Sequence, residues 1–294
     1  MHPRFAKPFD TLSAPLKAAV QPMLDSADFN ARFTPEQVAT LKAATGLDDR
    51  ALRLALLPLA AACSVAPISK FYVGAIACGL SGTWYFGANM EFAGQGLFHS
   101  VHAEQSAISN AWLGGETGIS EITVNYTPCG HCRQFMNELS TAKILKVSLP
   151  DDLSALQSFL PHSFGPADLD ITDALMSPQD HAELQLQSED RLWQAALAAA
   201  RQSYAPYSQG YAAVALQFAD GRIFSGRYAE NAAFNPSLPP MQMACAHAVL
   251  NGEDLATIRR AVLLENKNGQ ISQRDSAQST LKALGSVELE YLAV

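Results

Sequence analysis

The sequence reads His102-Ala103-Glu104 and, further on, Pro128-Cys129-Gly130-His131-Cys132. The imidazole of His102 and the thiolates of Cys129 and Cys132 are ligands of the type that zinc favours. Three protein ligands leave the fourth tetrahedral position free for water, and a carboxyl group, that of Glu104, lies nearby in the sequence to move protons. The two stretches therefore predict an open metal site with a chemical function.

The spacing of the two cysteines indicates how they could share one ion. We predict a helix with Thr127 as its cap, so that Cys129 and Cys132, three residues apart, lie on one face of the first turn. The positive end of a helix also lowers thiol pKa values. The pair could instead be a redox pair or half of a four-ligand zinc knuckle. The remaining cysteines form no second close pair, which argues against the knuckle, and beside a redox pair the His-x-Glu would be a coincidence.

Glu104 is predicted to carry protons. It follows His102 by two residues, and such neighbours do not share a helix face, so we do not assign it as a fourth ligand. Zinc lowers the pKa of its water towards about 7. A carboxylate in a closed apolar pocket can take that proton, protonate a ring nitrogen and then protonate a departing amine. The alternative is a solvated glutamate on a helix surface.

Composition limits the classes of protein that fit. The chain has 294 residues, 48% of them hydrophobic, which is enough for more than one folded unit. Five cysteines are few and odd in number, which fits a reducing compartment, so we predict a cytoplasmic protein. No apolar stretch has the form of a secretory signal or a membrane span, and no membrane partner is expected.

The net charge of −8 disfavours a nonspecific grip on nucleic acid, because lysines and arginines occur only singly or in pairs. A small soluble substrate is favoured instead. An acidic balance is also an ordinary solubility feature, so this observation is weak by itself.

Patterns of apolar and turn residues divide the chain into four parts. Residues 1–48 are predicted to be a helical segment with a packing role. Residues 49–152 are predicted to form a helix, a hairpin with strands at 72–78 and 83–86, a helix through His102, a strand at 121–126 and a helix beginning at Cys129. Residues 153–189, rich in Asp, Gln, Ser and Pro, are predicted to be an ordered linker. Residues 190–294 complete the chain.

This last part repeats the second at an offset of 139 residues without gaps. The matching pairs are Ala66-Pro67 with Ala205-Pro206, Gly87 with Gly226, and Glu91 with Glu230. At the same offset Met241 and Met243 replace the histidine and the glutamate of the motif, and no second Pro-Cys-x-x-Cys follows. Cys245 and His247 lie nearby but are predicted to be core residues. We therefore expect one zinc ion per chain.

Several boxes of the sequence resemble the cytidine deaminase family. They are Phe71-Tyr72-Val73-Gly74-Ala75, Gly87-Ala88-Asn89-Met90-Glu91, His102-Ala103-Glu104 and Pro128-Cys129-Gly130-His131-Cys132-Arg133-Gln134. Together with the length and the degenerate second copy, they are similar to the long, homodimeric bacterial form of that family over essentially the whole chain. The resemblance implies an α/β fold with duplicated three-layer α/β/α domains and mixed sheets, following the small helical N-terminal segment, and a homodimer.

The resemblance also implies a reaction. Zinc-bound hydroxide would add to the amine-bearing ring carbon of cytidine or deoxycytidine, with Glu104 relaying protons, to give uridine or deoxyuridine in pyrimidine salvage. Asn89 and Glu91 would bind the ribose 3'-hydroxyl, Phe71 would stack on the base, and the backbone of Ala103 would help Glu104 to read the amide edge. From the residues alone, the commoner explanations are that Asn89 and Glu91 are polar residues at a strand end and that Phe71 is a core residue.

By the same resemblance, residues of the partner subunit would close the pocket, which makes Phe164 and Phe234 candidate lid residues. Both could instead be ordinary packing aromatics, and the sequence does not decide which chain contributes them. Two other functions remain open. A deaminase of bases within nucleic acid is disfavoured by the acidic chain and by the Asn89/Glu91 pair, and a noncatalytic zinc module would need a closed, four-ligand site.

Overall fold

The computed structural model describes residues 1–294, beginning with a helical segment. The elements of this segment are α1 (Ala6–Thr11), α2 (Ala14–Asp25), β1 (Arg32–Phe33) and α3 (Pro35–Thr45). Thr34 caps α3 through a capping box with Gln37, and Gly46 ends it in the left-handed region at φ 68°. Strand β1 pairs with the first sheet. The segment therefore packs against the first copy and also extends its sheet by one edge strand.

The first copy is a mixed sheet with helices on both faces. Its elements are α4 (Asp49–Ala61), β2 (Gly74–Gly79), β3 (Trp84–Ala88), α5 (Ala103–Leu113), β4 (Ile119–Val124), α6 (Gly130–Asn137), β5 (Lys146–Ser148) and β6 (Leu153–Ala155). The strand order is β1-β3-β2-β4-β5-β6, in which only the β4–β5 pair is parallel. Along β2, Ala75 and Ala77 are buried on the side of α5, whereas Ile76 and Cys78 are buried on the side of α4. The alternation accounts for the three layers.

Some strand limits differ from the sequence predictions. Strand β2 begins at Gly74, because the preceding Tyr72 is half exposed in a loop. Strand β4 ends at Val124, because the side chain of Asn125, rather than the strand ladder, accepts from the Gly74 amide at 3.1 Å. The first sheet also continues through β6, three residues beyond the predicted limit at 152.

The second copy follows a polar connection that contains α7 (Leu156–Phe159). Its elements are α8 (Arg191–Ala200), β7 (Ala212–Phe218), β8 (Ile223–Arg227), α9 (Pro240–Leu250), β9 (Ile258–Glu265), α10 (Arg274–Leu284) and β10 (Leu289–Ala293). The strand order is β10-β9-β7-β8, with β9 and β10 parallel. None of the helices in the protein combines the length and apolar character needed to cross a membrane.

The duplication is visible in details of the backbone. Strands β3 and β8 begin and end 139 residues apart. The pairing of the central strand shifts register between Cys78 and Gly79 in the first copy, and between Gln217 and Phe218, at the same offset, in the second. The two copies share this register shift at equivalent positions, and such a specific irregularity supports the duplication.

The two copies share one hydrophobic core. A cluster of 45 buried residues takes side chains from both copies, including Ala107 of α5 and Met243 of α9. Helices α5 and α9 pack against each other as well as against their own sheets. The protein is thus a stack in which these two helices fill the space between the two sheets, and α5 is the helix that follows His102.

Gly87 provides a test of this packing. A Cβ atom at Gly87 would lie 2.1 Å from the amide nitrogen of Ala107 and 2.4 Å from the carbonyl oxygen of Ala103, both in the backbone of α5. We expect Gly87→Ala to lower the free energy of unfolding by about 1–3 kcal/mol or more, since backbone must move. Gly285→Ala is the control, because no atom lies within 4 Å of its Cβ position. Urea denaturation measures both variants, and equal midpoints would contradict the close approach.

Candidate active site

Three candidate zinc ligands converge where α5 and α6 begin. His102 is the N-cap of α5, Cys129 is the N-cap of α6, and Cys132 lies in the first turn of α6. Nδ1 of His102 lies 3.4 Å from Sγ of Cys129 and 3.2 Å from Sγ of Cys132, and the two sulfurs are 3.8 Å apart. A tetrahedral zinc ion at about 2.3 Å from each sulfur holds the sulfurs about 3.8 Å apart. The donor set therefore fits zinc without rearrangement.

The start of α6 differs from the sequence prediction. Cys129, rather than Thr127, is the N-cap, with φ −69° and ψ 169°, and the helix runs from Gly130. An N-cap side chain turns back over the first helical turn, and this is how Sγ of Cys129 approaches Sγ of Cys132. The prediction of Thr127 as the cap was wrong by two residues, although both thiols do lie at the helix start.

The electrostatics of the site favour a thiolate. Hydrogen bonds with Cys132 and with His102 lower the pKa of the Cys129 thiol to about 3. The hydrogen bond with Cys129, followed by burial, raises the pKa of Cys132, because a second thiolate beside the first is unfavourable. The charge of a zinc ion held by these residues would offset that repulsion and favour the thiolate of Cys132 as well. Of the two thiols, Cys129 therefore favours the thiolate form that binds zinc, and Cys132 does not until the metal is present.

Glu104 is buried beside this ligand set. The residue is only 4% exposed, and it lines the same cavity as His102 and Cys129. Burial raises the pKa of its carboxyl group. Glu104 does not belong to the group of three clustered metal donors. A buried carboxyl group next to the ligands but outside their set is suited to exchange protons with groups bound in the cavity.

The cavity beside the ligands measures about 560 Å³, within the range of small-molecule sites. Besides Glu104, it is lined by the four other residues of the first copy that the resemblance assigns to substrate. They are Phe71, Asn89, Glu91 and Ala103. Residues separated by up to 33 positions in the sequence are therefore brought together around one volume.

Asn89 and Glu91 brace the loop that precedes β2. Oδ1 of Asn89 accepts from the amide of Val73 at 2.9 Å, and its Nδ2 donates to the carbonyl of Phe71 at 2.9 Å. Oε2 of Glu91 accepts from the amides of Ile68 and Ser69 at 2.8 and 3.0 Å. Although burial opposes it, hydrogen bonds from Ser69 and Ile68 lower the pKa of Glu91. Both side chains hold the shape of the cavity wall in addition to facing the cavity.

Tyr126 and Ser69 are among the lining residues that were not predicted from the sequence. Tyr126 faces Phe71 with ring centroids 4.6 Å apart, and each of these aromatics is about half exposed. Ser69 donates its hydroxyl to Glu91. The signal for Ser69 lay in the duplication, because Ser208 donates in the same way to Glu230 at the 139-residue offset. Nothing in the sequence distinguished Tyr126 from an ordinary residue at a strand end.

The candidate lid residues do not reach the cavity of their own chain. Phe164 and Phe234 are 44% and 66% exposed, and neither lines that cavity. The carbonyl of Phe164 accepts from Nε2 of Gln134 at 2.7 Å and from Nδ2 of Asn137 at 2.9 Å, so its loop is attached to α6. If these aromatics close a cavity, it is one that belongs to another chain.

The second copy keeps the brace but not the metal donors. Glu230 accepts from the amides of Tyr207 and Ser208 at 2.8 and 3.1 Å, as Glu91 does from its own loop. Met241 and Met243, at the positions of His102 and Glu104, are fully buried in the shared core. Cys245 and His247 do not belong to a metal-donor group. Burial lowers the pKa of His247 to about 4, as expected of a core histidine.

Comparisons with known proteins agree with the division of the chain into two copies of one domain. Residues 47–148 and residues 156–278 each match a family model described as the cytidine and deoxycytidylate deaminase zinc-binding region. The match to residues 156–278 covers the copy in which methionines stand at the positions of His102 and Glu104. The duplicated fold and the three-donor site thus define a zinc-dependent deaminase.

The relatives are more specific. The chain is 92% identical to a cytidine deaminase of Aeromonas hydrophila over the full length of both, and 55% identical to one of Serratia proteamaculans over 97% of both. It is also similar to the solved cytidine deaminase of Mycobacterium tuberculosis, at 27% identity and a TM-score of 0.37, covering 40% of this chain and 99% of that one. The chain belongs to the cytidine deaminase family. The predicted family, fold class and zinc cofactor are confirmed.

Proposed function

We propose that the chain deaminates cytidine and deoxycytidine hydrolytically, giving uridine or deoxyuridine and ammonia, as a step of pyrimidine salvage in the cytoplasm. The observation that carries the proposal is the position of Glu104, buried beside three zinc donors in a cavity of about 560 Å³. The relatives are named cytidine deaminases, which supports cytidine as the nucleoside. Two thiols that must stay reduced to bind the metal support a reducing compartment.

The chemistry divides between the metal and this carboxyl group. When bound to His102, Cys129 and Cys132, zinc acts as a Lewis acid that activates a water molecule. As the oxygen of the attacking water forms a bond to the amine-bearing ring carbon, Glu104 would take one proton from the water and deliver it to the neighbouring ring nitrogen. It then carries the second proton of the water to the amine, which leaves as ammonia. One buried carboxyl group serves both transfers because it returns to its starting charge after each.

Substrate binding is assigned to the wall of the same cavity. Asn89 and Glu91 would bind the ribose 3'-hydroxyl with the hydrogen-bonding capacity that the loop amides leave free. Phe71 would pack against the base, and the backbone of Ala103 together with Glu104 would read its amide edge. These roles follow from the resemblance and are supported by the shared cavity.

We further propose a homodimer in which Phe164 and Phe234 of one chain close the cavity of the other. Apolar side chains beside the cavity are unusually exposed, with Leu97 at 71% and Phe98 at 84%. Exposed apolar patches of this kind mark association sites. Phe164 and Phe234 are also exposed, and both lie outside the cavity of their own chain. A second copy of the chain would satisfy both observations.

The substrate class can be tested directly. At equal zinc content, free cytidine and deoxycytidine are expected to be deaminated, whereas a single-stranded oligonucleotide that contains cytosine is not, since the chain carries a net charge of −8 and lacks basic clusters. Ammonia release and the absorbance of the product measure the reaction. Deamination of the oligonucleotide without turnover of free nucleosides would assign the enzyme to nucleic acid instead.

A further inference from the structure

Helix α6 connects the metal site with the second copy. Its first turn carries Cys132, and Glu138 follows directly at its other end. The side chain of Glu138 is completely buried, at 0% exposure. No lysine or arginine forms an ion pair with it. A buried carboxylate needs hydrogen-bond donors in such a position, because an unpaired charge away from water is strongly destabilising.

All three donors to the carboxyl group of Glu138, two hydroxyls and one backbone amide, come from the second copy. Oε1 accepts from the hydroxyl of Tyr204 at 2.9 Å and from the hydroxyl of Tyr207 at 2.5 Å. Oε2 accepts from the backbone amide of Ala232 at 2.9 Å. The carboxylate therefore fixes the loop of residues 231–236, which carries Phe234, to the end of the metal-binding helix.

Other residues of α6 support the same loop. Nδ2 of Asn231 donates to the carbonyl of Gln134 at 3.0 Å, and Nε2 of Gln134 donates to Oδ1 of Asn231 at 3.3 Å. Phe234 has φ 61°, a left-handed conformation that costs free energy for a residue with a side chain. The ring of Tyr207, whose hydroxyl binds Glu138, lies 6.3 Å from the ring of Phe234. An aromatic residue is thus held in a strained and exposed position by contacts that converge on one helix.

We propose that Glu138 is a positioning residue that sets Phe234 for the cavity of the partner subunit, so that α6 links the metal site of one chain to the substrate cavity of the other. This inference rests on the proposed homodimer. Glu138 itself is neither one of the metal donors nor one of the residues that line its own chain's cavity. Its effect is therefore expected in substrate binding and in trans.

The first test is Glu138→Gln. The amide keeps one acceptor oxygen and turns its donor nitrogen either to the Ala232 amide, which cannot accept, or to the two tyrosine hydroxyls, which must then rotate. Either arrangement weakens the contacts that hold the 231–236 loop and Tyr207 beside Phe234. We expect KM for cytidine to rise about tenfold, a loss of one charge-assisted hydrogen bond, with zinc content and kcat little changed. Glu116→Gln is the matched control, because Glu116 is also buried and accepts from an amide and two hydroxyls, of Ser81 and Tyr85, within the first copy. A rise in KM in both variants, or in neither, would overturn the proposal.

Mixed dimers separate an effect in trans from one in cis. When a Glu104→Ala/Glu138→Gln chain pairs with a wild-type chain, the one working cavity receives its Phe234 from the altered chain, and KM should rise. When a Glu104→Ala chain pairs with a Glu138→Gln chain, the working cavity receives an intact loop, and KM should match that of the wild type. The reverse pattern would overturn the proposal.

Two further measurements keep the outcomes distinct. Size-exclusion chromatography tests the dimer itself, so a monomeric active enzyme would refute the proposed assembly and the inference with it. If the wild-type enzyme does not turn over cytidine, the proposed substrate is refuted instead. If Glu138→Gln fails to fold, Tyr207→Phe removes a single hydroxyl donor and should raise KM by a smaller factor, and an unchanged KM in that variant counts against the proposal.

Discussion

Replacing Glu104 by alanine is expected to leave one zinc ion bound per chain while turnover of cytidine falls by about two to four orders of magnitude. The magnitude is that of a lost general acid–base, and both proton transfers in the proposed reaction depend on this one carboxyl group. Because Glu104 is 4% exposed, solvent does not easily replace it. The measurement is kcat under saturating cytidine, with zinc determined on the same sample.

The controls for this variant distinguish chemistry from packing. Glu104→Gln keeps the volume of the side chain and should lose activity to a similar extent. Ser106→Ala, on the same helix, removes a buried hydroxyl that has no hydrogen-bond partner, and should retain activity. Unchanged turnover in Glu104→Ala would remove this residue from the mechanism, whereas loss of zinc would show that it acts as a ligand.

Replacing Cys132 by alanine is expected to abolish both zinc binding and deamination. Two ligands would remain, and the buried sulfur at 3.2 Å from Nδ1 of His102 would be lost. Because zinc affinity depends on a complete ligand set, zinc content should fall below about 0.1 per chain after dialysis against a chelator. Turnover should fall with it, because the remaining protein cannot activate water.

Cys245→Ala is the matched control for the cysteine variant. Cys245 is a fully buried thiol of the second copy, and burial raises its pKa to about 12. It should therefore be neutral and inert, and the variant should keep its zinc ion and its turnover. Retention of zinc and activity by Cys132→Ala would contradict the three-donor site, and loss of zinc from Cys245→Ala would show a metal role for the second copy.

The metal donors and the duplication could be predicted from the sequence because both are visible as fixed spacings of particular residue types. Cys129 and Cys132 are three residues apart, and a helix start brings any such pair together. The gapless offset of 139 residues predicted that the last part repeats the second, and the structure adds that Gly226 approaches the backbone of α9 as Gly87 approaches that of α5. Chemistry that depends on such spacings can therefore be recognised in a single sequence.

Features that depend on distant contacts could not be predicted. Glu138 follows a short helix and reads as a solvated residue, yet its partners lie 66, 69 and 94 positions away. Asn89 and Glu91 looked like polar strand ends, and only the folded chain shows that they brace a loop. The boundary at 152 fell short because β6 is a polar, three-residue strand that is stabilised by pairing with β5 rather than by its own apolar pattern.

The helix α9 explains why a copy without metal donors is still needed. Met241 and Met243, at the positions of His102 and Glu104, place apolar volume in the core shared with α5. The second copy thus lacks the metal donors but keeps the volume against which α5 packs. Substitutions along α9 therefore differ in their effects. Loss of a reactive group leaves the packing intact, whereas truncation of a buried methionine would leave a void beside α5 and loosen the active half as well.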